Sequence, residues 1–151
     1  MNVGMIFSMI FTIILIFTIM VFGGKQIMHI LNFGGEAGVY LNVGELENKV
    51  EDIYSMSYNS ADKLTIRVPE GTKICFLNPR NAKKPGVNWK ADENYAFIAE
   101  MNNYNLMIIR SDGFDGKQIK HLLPSENFCL ISTNDVMLIN KGSYVDIEMI
   151  E

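Results

Sequence analysis

The run from Val3 to Phe22, VGMIFSMIFTIILIFTIMVF, constrains this chain more than any other stretch. It carries no charged residue, and thirteen of its twenty positions are Val, Ile, Leu or Phe. As an α-helix it would be about 30 Å long, at roughly 1.5 Å per residue, which matches a bilayer core. At roughly −0.3 to −0.6 kcal/mol for each such residue, the thirteen favour insertion by about 6 kcal/mol. Gly4, Ser8, Thr12 and Thr18 subtract little. The run therefore predicts a membrane-inserted helix, residues 1–24, acting as a transmembrane or an assembly helix.

A cleaved signal peptide would show a basic n-region and an apolar stretch of about 7–15 residues. Here no Lys or Arg precedes the run, and the run is longer, so an uncleaved helix is expected. Lys25 is the basic residue nearest to it, and the positive-inside signal is nearly absent. Gly4, Ser8 and Thr12 recur every fourth residue and so share one helix face. Small residues at that spacing let helices approach closely in lipid, which would serve self-association through this face; the competing expectation is a chance pattern, common in apolar helices.

Residues 25–62 read as a connector. Gly23-Gly24 loosens the first helix, and Phe33-Gly34-Gly35 is expected to break the pattern. Val39, Val43, Leu46, Val50 and Ile53 are then spaced 4, 3, 4 and 3, an apolar stripe with a period near 3.5. Glu45, Glu47, Lys49, Glu51 and Asp52 fill the other face. A helix is expected over 44–57, docked on its own domain rather than on copies of itself, with a loop over 57–62.

From residue 63 the period changes to 2, which predicts a β-sandwich head over 63–151. Leu64, Ile66 and Val68 alternate with Thr65 and Arg67. Further strands are expected at 73–77, 106–110, 118–122, 128–132, 136–140 and 144–150. Residues 111–116, SDGFDG, read as a turn. Residues 89–101 are compatible with a short helix opened by Asp92-Glu93 or with a strand carrying Tyr95, Phe97 and Ile98. In the last strand Val145, Ile147 and Met149 alternate with Asp146 and Glu148, as in a half-buried strand. The expected fold class is mainly β with an N-terminal α region: one hydrophobic helix, an amphipathic connector helix and a small antiparallel sandwich.

Cys75 and Cys129 both fall in apolar strands, and Trp89 lies between them. This order resembles the immunoglobulin Cys–Trp–Cys arrangement, with Asn127 where the tyrosine-corner Tyr would stand. A disulfide closing so long a loop would add about 4 kcal/mol in the chain-entropy model. The competing expectation is two buried free thiols, each acting as a small hydrophobe. Two cysteines in a β-rich module suit an oxidising exterior, so the head is expected outside the cytoplasm.

The candidate binding segment is NPRNAKKPGVNWK, residues 78–90. No acidic residue lies between Glu70 and Asp92, whereas Lys73, Arg80, Lys83, Lys84 and Lys90 are basic. Arg80, Lys83, Lys84, Trp89 and Lys90 could hold an envelope protein or an anionic surface polymer; the competing expectation is a solvated loop with Trp89 folded into the core. The DGFDG stretch, 112–116, fails the EF-hand pattern, since Phe114 takes an intervening position. His121 stands near Ser125 and Glu126 without a nucleophile–base pattern. No catalytic residue, cofactor or metal site is expected, and a net charge of −4 argues against nucleic acid as a partner.

In its order of parts the whole chain resembles type IV pilin-like subunits and the single-span envelope proteins of archaea. The run Val3–Phe22 has no acid to match the pilin glutamate. The uncharged helix, the period-2 module and the missing catalytic constellation lead to the expectation of a single-pass plasma-membrane protein whose extracytoplasmic head serves binding or assembly and does not catalyse. The alternative is an extracellular filament subunit with its N-terminal helix packed against copies of itself in the fibre core.

Overall fold

A computed structural model describes the backbone of residues 3–90 and 93–150, and within these the side chains of 3, 5–7, 20–37 and 93 are outside the description. Two compact units divide the chain, Met1–Gly38 and Val39–Glu151. The helix α1 (Val3–Ser55) supplies residues to both. The expected break at Gly34-Gly35 does not occur. Glycine costs a helix about 1 kcal/mol against alanine but has no steric bar to helical φ and ψ, so a propagating helix tolerates it.

In the unit from Val39 onward, α1 is followed by β1 (Ala61–Ile66), β2 (Lys73–Phe76), α2 (Glu93–Asn102), β3 (Leu106–Arg110), β4 (Gly113–Lys117), β5 (Phe128–Leu130), β6 (Asn134–Asn140) and β7 (Val145–Met149). The strands form two antiparallel sheets, β1-β6-β7 and β4-β3-β2-β5. The head is thus mixed α/β and sandwich-like. The stripe Val39, Val43, Leu46, Val50 and Ile53 is buried and joins one core with Leu64, Ile66, Val136, Leu138, Val145 and Ile147 of the first sheet. Ile74, Phe76, Leu106, Ile108, Phe128 and Leu130 of the second sheet complete it.

The alternate residues of the second sheet face the other way. Cys75, Met107 and Cys129 pack with Leu77, Ala82, Trp89, Ala96 and Ala99 in a smaller core. Ala96 and Ala99, three apart, are the small inner edge of α2, which settles 93–102 as helix rather than strand.

Three expectations are corrected. Residues 113–117 are a strand, β4, not part of a turn; the turn shrinks to Ser111-Asp112, and Arg110 pairs with Gly113 across it. Residues 118–122 are not a strand. Ile119 and Leu122 are buried, but their backbone is held by the Asn105 side chain, which donates to both carbonyls at 2.7 Å and accepts from the Ile119 amide. Asp146 is buried rather than outward-facing, because residues 121–125 cross beside β7. Val145 donates to the His121 carbonyl, Leu123 donates to the Val145 carbonyl, and Ser125 donates to Asp146 through both its amide and its hydroxyl.

The end of α1 is tied in the same way. The Asn140 amide donates to the carbonyls of Ile53, Tyr54 and Met56, at and just beyond the last turn of α1, where the helix runs out of its own donors.

Candidate functional site

Two surfaces stand out, and each has its own origin. The first is the apolar stretch of α1. Residues 8–19 are exposed without exception, as is Gly4. Met9 is 71% exposed, Ile10 53% and Phe11 59%, and successive residues stand about 100° apart around a helix, so the exposure is not one-sided. The two threonine hydroxyls within the stretch bond back to the helix: Thr12 donates to the Ser8 carbonyl and Thr18 to the Ile14 carbonyl, both at 2.8 Å. This i−4 back-bonding leaves methyl groups, not hydroxyls, as the outer surface. Gly4, Ser8 and Thr12 lie on one exposed face, and a side-chain carbon at Gly4 would meet nothing within 4 Å. Among the described residues no helix is long and apolar enough to cross a membrane. Of the run Val3–Phe22, the side chains of residues 3, 5–7 and 20–22 lie outside the described residues.

The second surface is the basic segment 78–90. Four devices fix its backbone. Asn127 is buried; its Oδ1 accepts from the Asn78 amide, and its Nδ2 donates to the carbonyls of Asn81 and Lys84. The Asn78 side chain accepts from the Arg80 amide, an Asx turn. Gly86 and Trp89 exchange backbone hydrogen bonds at 3.1 Å, and Cys129 donates to the Val87 carbonyl at 2.9 Å. At Gly86 any side chain is excluded, since its first carbon would stand 1.6 Å from the Asn127 carbonyl oxygen.

Trp89 does not belong to the exposed part of this surface. It is 4% exposed and donates its indole N–H to the Ala82 carbonyl at 2.9 Å. It is removed from the candidate binding residues and acts as the core wedge of the segment. Arg80, Lys83, Lys84 and Lys90 are exposed. Lys83 lies 3.5 Å from the Glu100 carboxylate on α2, whereas Arg80, Lys84 and Lys90 make no ion pair among the described residues.

Cys75 and Cys129 are bonded and lie directly opposite one another on β2 and β5, with Cα atoms 4.0 Å apart. Here the immunoglobulin comparison is corrected: the bridge joins neighbouring strands of one sheet and does not cross between sheets. It sits beneath the basic segment, sharing a core with Trp89.

The remaining candidates resolve into structural roles. Asp115 of the DGFDG stretch accepts from Tyr40 at 2.8 Å and pairs with Arg110 at 2.5 Å. The Tyr40 hydroxyl and then the Arg110 guanidinium hold its carboxyl below the usual carboxylate range. A carboxylate so engaged is no free calcium ligand, and no cluster of three metal-binding side chains occurs among the described residues. His121 stacks on Tyr54, ring centroids 3.6 Å apart, and lies 3.9 Å from Glu51. A cleft of about 390 Å³ is lined by Val87, Ser125, Asn127, Phe128 and Met149, with Glu126 and Glu148. Of its polar lining residues, Ser125 donates to Asp146, and Asn127 is engaged with the backbone of Asn78, Asn81 and Lys84.

The buried asparagines 105, 127 and 140 and the buried Asp146 were not legible as structural residues in the sequence. Their common signal is a polar residue next to an apolar strand run, which also marks an ordinary turn.

Comparison with protein families, with characterised proteins and with solved structures finds no match to this chain.

Proposed function

We propose that this chain is a single-pass membrane-anchored envelope protein whose extracytoplasmic head binds or assembles with a partner and catalyses nothing. One observation carries the reading. Nine large apolar side chains between Met9 and Ile19 are exposed on all sides of one uncharged helical stretch. Covering nine such side chains is worth on the order of 15 kcal/mol. A helix apolar all round needs an apolar surround, and lipid supplies one with no partner atom required. The inward-bonded Thr12 and Thr18 suit that solvent, since their hydroxyls need nothing from it.

The disulfide supports the side of the membrane. Buried bridges persist in oxidising compartments and are rare in reducing ones, so a bonded Cys75–Cys129 fits a head outside the cytoplasm. Catalysis is the weaker alternative because the titratable residues engage one another in fold-holding pairs: Lys49 with Asp62, Lys117 with Glu47, Lys63 with Asp135 and Arg110 with Asp115.

A second reading has an observation of its own. Gly4, Ser8 and Thr12 share an exposed face, which suits close packing of copies in a filament core.

Fractionation of native cells tests both. Recovery only after detergent extraction, with the head cut by protease added to intact cells, is the expected result. Recovery mainly in sheared fibres would favour the filament. Release by lysis without detergent would overturn both readings.

A further inference from the structure

We propose that the outer layer of the head, formed by α2 and the basic segment 78–90, docks on an anionic lipid headgroup layer. The proposal rests on the anchor reading above and adds a second, peripheral contact to it.

The layer combines two features that meet at Lys83 and Glu100. Ala96 and Ala99 are the buried edge of α2, and its opposite edge carries exposed apolar side chains. There Phe97 is 56% and Met101 67% exposed. They are four residues apart and therefore adjacent along the helix surface. Glu100, three residues after Phe97, sits on the same side, and the Lys83 ammonium lies 3.5 Å from its carboxylate. The basic segment therefore borders the apolar pair. Arg80, Lys84 and Lys90 bring three further exposed cations, each without an ion pair among the described residues.

The cations are displayed on a held frame. Asn127 clamps Asn78, Asn81 and Lys84, while the buried Trp89 pins the end that carries Lys90. A surface already ordered gives up less freedom on binding than a floppy loop does. An acidic protein patch would satisfy the cations and leave Phe97 and Met101 without a pocket. A headgroup layer offers phosphates to the cations and an acyl boundary, about 5–10 Å deep, to the apolar pair. Three unpaired cations at such a surface change its occupancy on the order of 100-fold. A chain already held in lipid by one segment keeps its other segments at high local lipid concentration, so a weak patch suffices.

The full chain, disulfide intact, is reconstituted into vesicles of phosphatidylcholine alone or of phosphatidylcholine mixed with phosphatidylglycerol. An amine-acylating reagent is added, and labelling at Lys84 and Lys90 is read by mass spectrometry against Lys63 and Lys120. The expected result is labelling of Lys84 and Lys90 at least several-fold lower in the anionic vesicles, restored by high salt. The F97D/M101D double variant, changed only at exposed positions, should restore it without salt, and K84E/K90E should lose the lipid-charge dependence of vesicle-surface protection at Lys83. Equal labelling in the two vesicles would overturn the proposal. So would protection that follows protein density rather than lipid charge, which would assign the patch to a protein partner. Flotation of the same samples separates the two readings. A chain that floats with both vesicles yet labels equally loses the docking surface alone; a chain that floats with neither loses the anchor, and the docking with it.

Discussion

Residues 8–19 and 39–53 belong to one helix and meet the solvent in opposite ways. In the first stretch every residue is exposed and none is charged. In the second, Val39, Val43, Leu46, Val50 and Ile53 are buried, while four of the residues between them are bonded to the head. Lys49 pairs with Asp62, Glu47 with Lys117, Tyr40 with Asp115, and Asn42 donates to the Arg67 carbonyl. Backbone geometry is common to both stretches, so it cannot account for the difference. The spacing of apolar residues does. A stripe at 4-3-4-3 needs one wall and can leave its other side wet; a helix apolar all round has no side that water suits.

The largest effect should come from placing one charge in each stretch. Val50→Asp puts an unpaired carboxylate where the native residue is fully buried, which costs more than about 4 kcal/mol. The head should lose its cooperative thermal transition while the chain still fractionates with membranes. Ile14→Asp should do the reverse. It weakens insertion by about 3 kcal/mol, moving chain out of the detergent-dependent fraction, with the melting temperature of the head unchanged. If both variants unfolded the head, or both left it intact, the division of α1 into two environments would be wrong.

A second contrast lies within a single stretch. Leu41 is 75% exposed and Leu46 is 2% exposed, although only five positions separate them. Leu46→Ala should cost about 3 kcal/mol in urea unfolding, through lost burial and a residual cavity. Leu41→Ala should stay within about 0.5 kcal/mol. Equal losses would mean that Leu41 also has a partner in the folded state.

These contrasts mark what the sequence could and could not convey. The stripe from Val39 to Ile53 was legible because helical periodicity registers burial on one side. The alternating strands were legible for the same reason at period 2. The cysteines were legible as a pair, since both lie in apolar strands. What escaped was set by contacts between distant residues. The glycine pair at 34–35 looked like a break because its cost is local, whereas the ladder that overrides it is cooperative. Asp146 looked outward-facing by alternation, and it is buried only because residues 121–125 return beside β7. Asn127 looked like a missing tyrosine, yet it clamps three backbone positions more than forty residues away in sequence. Of the basic segment, the exposed cations were legible as charge, and Trp89 was correctly anticipated as core in one of its two readings.

The smallest effect sharpens the comparison at the point where the buried stripe begins. Tyr40 neighbours Val39 and is 54% exposed, yet its hydroxyl donates to Asp115 on β4. That bond and the Arg110 guanidinium lower the Asp115 pKa in the folded state. A depressed carboxylate stabilises the fold above its unfolded value, near 3.9, and the contribution is lost as pH falls from there through the folded value. Asp62, lowered chiefly by Lys49, and Asp135, lowered chiefly by Lys63, add to the same acid-side loss. Lys49, raised by its bond to Asp62, acts on the alkaline side: its contribution is present below its unfolded value and is lost as pH rises through the folded one. Tyr40→Phe removes the largest cause at Asp115 and leaves Arg110 in place. Because the pair is half exposed, the loss at neutral pH should be below about 1 kcal/mol. The gap between variant and parent should begin to narrow below the unfolded carboxylate value and close as pH falls through the folded Asp115 value. Thermal melts of both proteins from neutral pH down to about pH 3 test this. A gap that persists unchanged at acid pH would show that Tyr40 acts through packing on the head, making it part of the buried stripe's wall and not of its polar border.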